Sequence, residues 1–92
     1  GLLLLTKSMA IDLSKYNVRV NSISPGYVKT PMTEKNYKNK SQKNKRLSRT
    51  ILNRWGEPKD LLGIVEYLIS KKSSYVTGQD FIIDGGWLSK GL

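Results

Sequence analysis

The stretch NSISPGYVKTPM, Asn21 to Met32, holds the residues best placed to do chemistry. A β-branched run stops at Pro25-Gly26, and a second brake follows at Pro31. Pro25 removes a backbone donor and stops sheet pairing, and Gly26 permits close approach to the backbone. Beyond them Val28 carries a backbone N–H and C=O, with the Thr30 hydroxyl nearby. A donor and an acceptor side by side suit an amide-bearing ligand. A plain strand-to-loop turn would use the same residues, so both readings stand at this level.

Other chemistries are excluded by composition. The chain contains no cysteine and no histidine. It therefore has no disulfide, no thiolate nucleophile, no Cys- or His-based metal site and no imidazole base, and no metal site is expected. The formal charge is +9, which draws attention to nucleic acid. Half of the sixteen basic residues, however, fall between Lys35 and Arg54, a segment with no acid and with Tyr37 as its single aromatic. Bases would have little to stack on there. A solvated basic loop is the leading reading of this run, ahead of attraction for an anionic substrate, with nucleic acid behind both. Leu2 to Leu5 is too short for a signal-peptide core and follows no basic segment. Since no apolar run approaches the roughly 20 residues that cross a bilayer, a cytoplasmic protein with no membrane partner is expected.

Four elements must position the loop. Leu2, Leu5, Met9, Leu13 and Tyr16 form one helical stripe over Gly1 to Tyr16, with Leu4, Ser8 and Ile11 beside it. That arc is too wide for a one-sided surface helix. Asn17 suits the left-handed position that ends a helix. Val18 to Ser24 reads as a strand, and Glu57-Pro58 starts a second helix whose buried face would be Leu61, Leu62, Val65, Leu68 and Ile69. Lys71 and Lys72 suit its negative end. Gln79 to Ile83 reads as a second strand, closed by a turn at Asp84-Gly85-Gly86. A helix between two short apolar strands makes a βαβ unit with parallel strands. Parallel sheets usually have several strands covered on both faces. Two strands and two helices are therefore expected to be the C-terminal part of a larger doubly wound domain.

The segments LTKSMAIDLSKYNVRVNSISPGYVKTPM and RWGEPKDLLGIVEYLISKKSSYVTGQDFIIDGGW, taken in order and at their spacing, resemble the C-terminal third of a short-chain dehydrogenase/reductase. The resemblance implies a Rossmann-like doubly wound parallel sheet, with residues 1–92 forming part of a single NAD(P)-binding domain and 31–54 a variable basic substrate lid. It implies an oxidoreductase moving hydride between nicotinamide and an alcohol or ketone, with NAD or NADP as cofactor. By the same resemblance Pro25 and Gly26 shape the nicotinamide pocket, Val28 backbone groups pair with the carboxamide, and Thr30 adds a hydroxyl contact. The family's catalytic Tyr-x-x-x-Lys is expected upstream of Gly1, so no residue of this chain is assigned a catalytic role and the chain alone is expected to be inactive. The full-length enzyme is expected to form a homo-oligomer through the first helix. A small basic nucleic-acid-binding protein, or a non-catalytic remnant that packs against a partner subunit, are the alternatives.

Overall fold

In a computed structural model of the chain, the element order is α1 (Leu2–Leu13), β1 (Ser22–Pro25), α2 (Lys59–Ile69) and β2 (Asp80–Ile83). Short 3-10 turns follow at Ser14–Tyr16, Lys71–Ser73 and Leu88–Lys90. The structure describes residues 1–30, 38–39, 44–45 and 48–90, so most of the expected lid, at 31–37, 40–43 and 46–47, lies outside the described residues. The strands pair in parallel, with Ser22 N–H donating to Gln79 O at 2.9 Å and Gly26 N–H to Ile83 O at 3.0 Å. This is the α/β arrangement and the element order that the sequence predicts. No helix among the described residues is long and apolar enough to cross a membrane.

The chain divides into two compact units, Gly1–Ser24 with Gly63–Ile82, and Pro25–Leu62 with Ile83–Leu92. In the first, Asn17 adopts the expected left-handed conformation (φ 60°, ψ 35°) and closes the turn after α1. Of α1, Thr6 and Ala10 are buried, and Gly78, whose positive φ of 72° favours glycine, lies against Ala10. Leu2, Leu4, Leu5 and Ile11 are all more than half exposed, so the wide apolar arc has little cover among the described residues.

Three expectations need correction. The strand begins at Ser22 rather than Val18, because the preceding residues pair irregularly with a loop. Val20 N–H donates to Thr77 Oγ1, Val20 O accepts from Gly78 N–H, and the Asn21 side chain bridges Val76 O and Gln79 N–H. The strand also runs through Pro25. Donors at 22 and 26 face β2, so the missing N–H at 25 falls on the opposite side and costs no ladder bond. In α2, Leu62, Val65 and Ile69 are exposed instead of buried. Two strands of four residues offer too little sheet to cover that stripe.

Polar contacts hold the first unit together. Ser22 and Ser24 hydroxyls both donate to the Asp80 carboxylate, at 2.8 and 2.9 Å. Arg19 donates through Nη1 to Ser73 Oγ (2.9 Å) and Val76 O (3.2 Å), and through Nη2 to Leu68 O (3.1 Å) and Ser70 O (3.3 Å). Ser73 is completely buried. Arg19 thus satisfies orphan carbonyls at the end of α2, while Lys71 and Lys72 stay exposed. Arg19→Ala would remove these four hydrogen bonds, although Ser73 Oγ still donates to Leu68 O and Ser70 O, and Asn21 Nδ2 to Val76 O. It should cost about 1–3 kcal/mol of unfolding free energy, and Arg19→Lys should recover only part, since an ammonium cannot fork to two sides. Denaturant midpoints test this: an Arg19→Ala midpoint equal to that of the parent chain would show that the network adds nothing.

Candidate functional site

The Pro25–Thr30 loop belongs to the second unit. A Cβ at Gly26 would lie 2.8 Å from Asp84 Cα and 2.9 Å from Asp84 Cβ. Glycine is therefore needed at 26 for packing within the chain itself. Past it, Val28 forms an isolated parallel bridge with Gly56. Gly56 N–H donates to Tyr27 O at 2.8 Å, and Lys29 N–H donates to Gly56 O at 2.9 Å. Backbone groups alternate sides along an extended chain, so this pattern turns the N–H and C=O of Val28 itself away from Gly56. The structure thus places Pro25, Gly26, Val28 and Thr30 on one loop pinned at its middle.

Aromatic packing supports that loop. The Tyr27 ring stands 5.4 Å from Trp55 and 4.8 Å from Trp87, the latter edge-on at 70°. Trp55 is 4% exposed, and the Arg49 guanidinium lies 5.4 Å from the Trp87 ring centre. Reading the sequence for donors missed this cluster. A signal was present: Gly26-Tyr27, Trp55-Gly56 and Gly86-Trp87 each set an aromatic ring beside a glycine.

Asp84 is the turn-former its sequence context suggests. Its carboxylate accepts from Gly86 N–H at 2.9 Å and Leu88 N–H at 3.0 Å, while Gly85 and Gly86 take positive φ. Arg54 and Asp60 form a bidentate ion pair at 2.9 and 3.2 Å, and Asp60 Oδ2 also accepts from Glu57 N–H at 2.7 Å. The Arg54 hydrogen bond, followed by the Glu57 N–H, lowers the Asp60 pKa to about 2. On the Gly56 side of the loop, Tyr27, Val28, Gly56, Ile83 and Asp84 help line a cavity of about 190 Å³.

One pair in the chain does have the Tyr-x-x-x-Lys spacing: Tyr67 and Lys71, which the assignment of no catalytic residue passed over. It lies at the C-terminal end of α2, where Tyr67 O accepts from Ser70 and Lys71 opens the next 3-10 turn. The resemblance puts the family's pair before α1 instead.

A nicotinamide carboxamide offers one donor and one acceptor, and the residues present fit it. Val28 supplies the complementary backbone pair on a loop whose direction the Gly56 bridge sets.

Residues 1–88 match the family model described as enoyl-(acyl carrier protein) reductase. The chain is 38% identical over 90 residues to 2-dehydro-3-deoxy-D-gluconate 5-dehydrogenase of Escherichia coli (strain K12), covering 98% of the chain and 36% of that protein. Among solved structures it superimposes on 4-hydroxyisoleucine dehydrogenase complexed with NADH (TM-score 0.92, 45% identity, covering 96% of the chain and 36% of that one). It also superimposes on a gluconate 5-dehydrogenase from Burkholderia cenocepacia J2315 in complex with NADP and tartrate (TM-score 0.90, 32% identity, 96% and 34% covered). The chain spans about a third of the length of these relatives. A short parallel sheet of this connectivity, superimposing so closely on such enzymes and matching the family model along nearly its whole length, has one assignment: the chain belongs to the short-chain dehydrogenase/reductase family and has its Rossmann-like α/β fold.

Proposed function

We propose that the protein carrying this chain is an NAD(P)-dependent oxidoreductase acting on an alcohol or ketone, and that Pro25, Gly26, Val28 and Thr30 form part of its cofactor site. The observation that carries this reading is the Val28–Gly56 bridge, which aims a backbone donor and acceptor to one side of a rigid loop. When bound, the cofactor supplies the hydride acceptor or donor. Here Pro25 ends the strand, Gly26 seats the loop against Asp84, Val28 holds the carboxamide and Thr30 adds a hydroxyl. Residues 1–92 are then part of one NAD(P)-binding domain, with 31–54 facing the substrate. The exposed leucines of α1 support a homo-oligomer formed through that helix. Sixteen basic residues against seven acidic ones favour a substrate bearing a carboxylate, in line with the sugar acids named for two relatives.

An amide-resolved NMR titration with NADH and NADPH tests the cofactor site. The Val28 N–H resonance should move on addition of at least one of them, with smaller shifts at Gly26 and Thr30. Shifts confined to other segments would place the nicotinamide elsewhere.

A further inference from the structure

We propose that Arg54 and Asp60 are positioning residues for the Val28 loop, holding the two peptide groups around Gly56 that fix residues 27–29. The proposal rests on the reading that this loop receives the nicotinamide amide. Each contact between Gly56 and the loop uses one end of a peptide group. The Trp55–Gly56 peptide donates its N–H to Tyr27 O at 2.8 Å, and the Gly56–Glu57 peptide offers its C=O to Lys29 N–H at 2.9 Å. The other end of each peptide is held by the ion pair. Arg54 Nη1 donates to Trp55 O at 3.2 Å, and Asp60 Oδ2 accepts from Glu57 N–H at 2.7 Å.

A trans peptide is planar, so fixing the direction of its C=O fixes the direction of its N–H, and the reverse. Arg54 therefore orients the donor that meets Tyr27, and Asp60 orients the acceptor that meets Lys29. The bidentate contact between them, at 2.9 and 3.2 Å, ties the two orientations together. Gly56 needs such help, because glycine alone would leave both planes free to turn. The Arg54 side chain is 53% exposed and that of Asp60 27% exposed. Pairs so exposed add little to global stability, so the effect of this one is local orientation.

Hydrogen exchange at single amides in the full chain tests the clamp directly. In Asp60→Asn and Arg54→Gln, exchange at Lys29 and Gly56 should quicken about three- to tenfold, while Ser22 and Gly26, which donate to β2, keep the parent rates. Asp60→Glu, which preserves the carboxylate, should retain most of the protection. In an intact enzyme carrying this sequence, the Kd for NAD(P)H should rise by a similar factor in the first two variants. Parent-like exchange at Lys29 and Gly56 in both variants overturns the clamp, whatever the loop binds. Faster exchange with unaltered cofactor affinity overturns the positioning role. Val28→Pro measured beside Val28→Ala then separates the failures: unequal affinities leave the loop reading standing, and equal ones remove it too.

Discussion

Replacing Val28 with proline should weaken nicotinamide cofactor binding by about 5- to 150-fold in an intact enzyme that carries this sequence, whereas Val28→Ala should change it far less. Proline deletes the N–H proposed to meet the carboxamide, and a lost hydrogen bond to a buried partner costs about 1–3 kcal/mol. Alanine keeps that N–H. The bridge itself survives either change, since its bonds use Tyr27 O and Lys29 N–H, neither of which the proline removes. Fixing φ at 28 can still strain the loop, so thermal stability is measured alongside. With folding intact, equal affinities for the two variants would reduce the loop to a turn.

The 92-residue chain by itself should give no NAD(P)-dependent oxidation or reduction of alcohols or ketones. The family's acid–base pair is expected outside these residues, and losing such assistance commonly costs about 10²–10⁴-fold in rate. Tyr67 and Lys71 provide a sharp control, because they have the right spacing in the wrong place. Tyr67 sits at the end of α2, and the next residues turn away through Ser70 and Lys71. Cofactor-dependent turnover by highly purified chain, abolished in Tyr67→Phe, would make this pair catalytic and overturn the account. Absence of turnover in both chains is the expected result.

What could be read from the sequence was local. The stripe from Leu2 to Tyr16 and the Asn17 stop each follow from spacing or from one residue's conformational preference, and both appear, whereas pairing continues past Pro25 to Gly26. Pairing across long separations left no periodic trace. Arg19 meets partners 49 to 57 residues away, and nothing around it marks it as the residue that finishes α2. Val18 and Val20 have the side chains of a strand, but Val18 N–H donates back to Leu13 O and Val20 pairs with Thr77 and Gly78 in a loop, so the propensity was real and the strand was not. The buried face expected for α2 failed for a quantitative reason: periodicity marks an apolar stripe without saying how much surface is available to cover it. At the candidate site the loop was legible and its support was not, because the Gly56 bridge joins positions 28 apart and the Arg54–Asp60 pair beside it reads in the sequence like any exposed pair of opposite charges.

β1 and β2 are only four residues long, too short for backbone bonds alone to reject a misaligned pairing. The hydroxyls of Ser22 and Ser24 on the Asp80 carboxylate provide the missing check. Sliding one strand by a single residue would set Ile23 against Asp80 and leave a part-buried carboxylate with no hydroxyl beside it. Sliding by two would replace one serine with Val20 or Gly26 and halve the donors. Two serines and an aspartate thus act as a key that fits one alignment, and the same alignment carries the chain out of β1 at the Pro25-Gly26 break on which the loop depends.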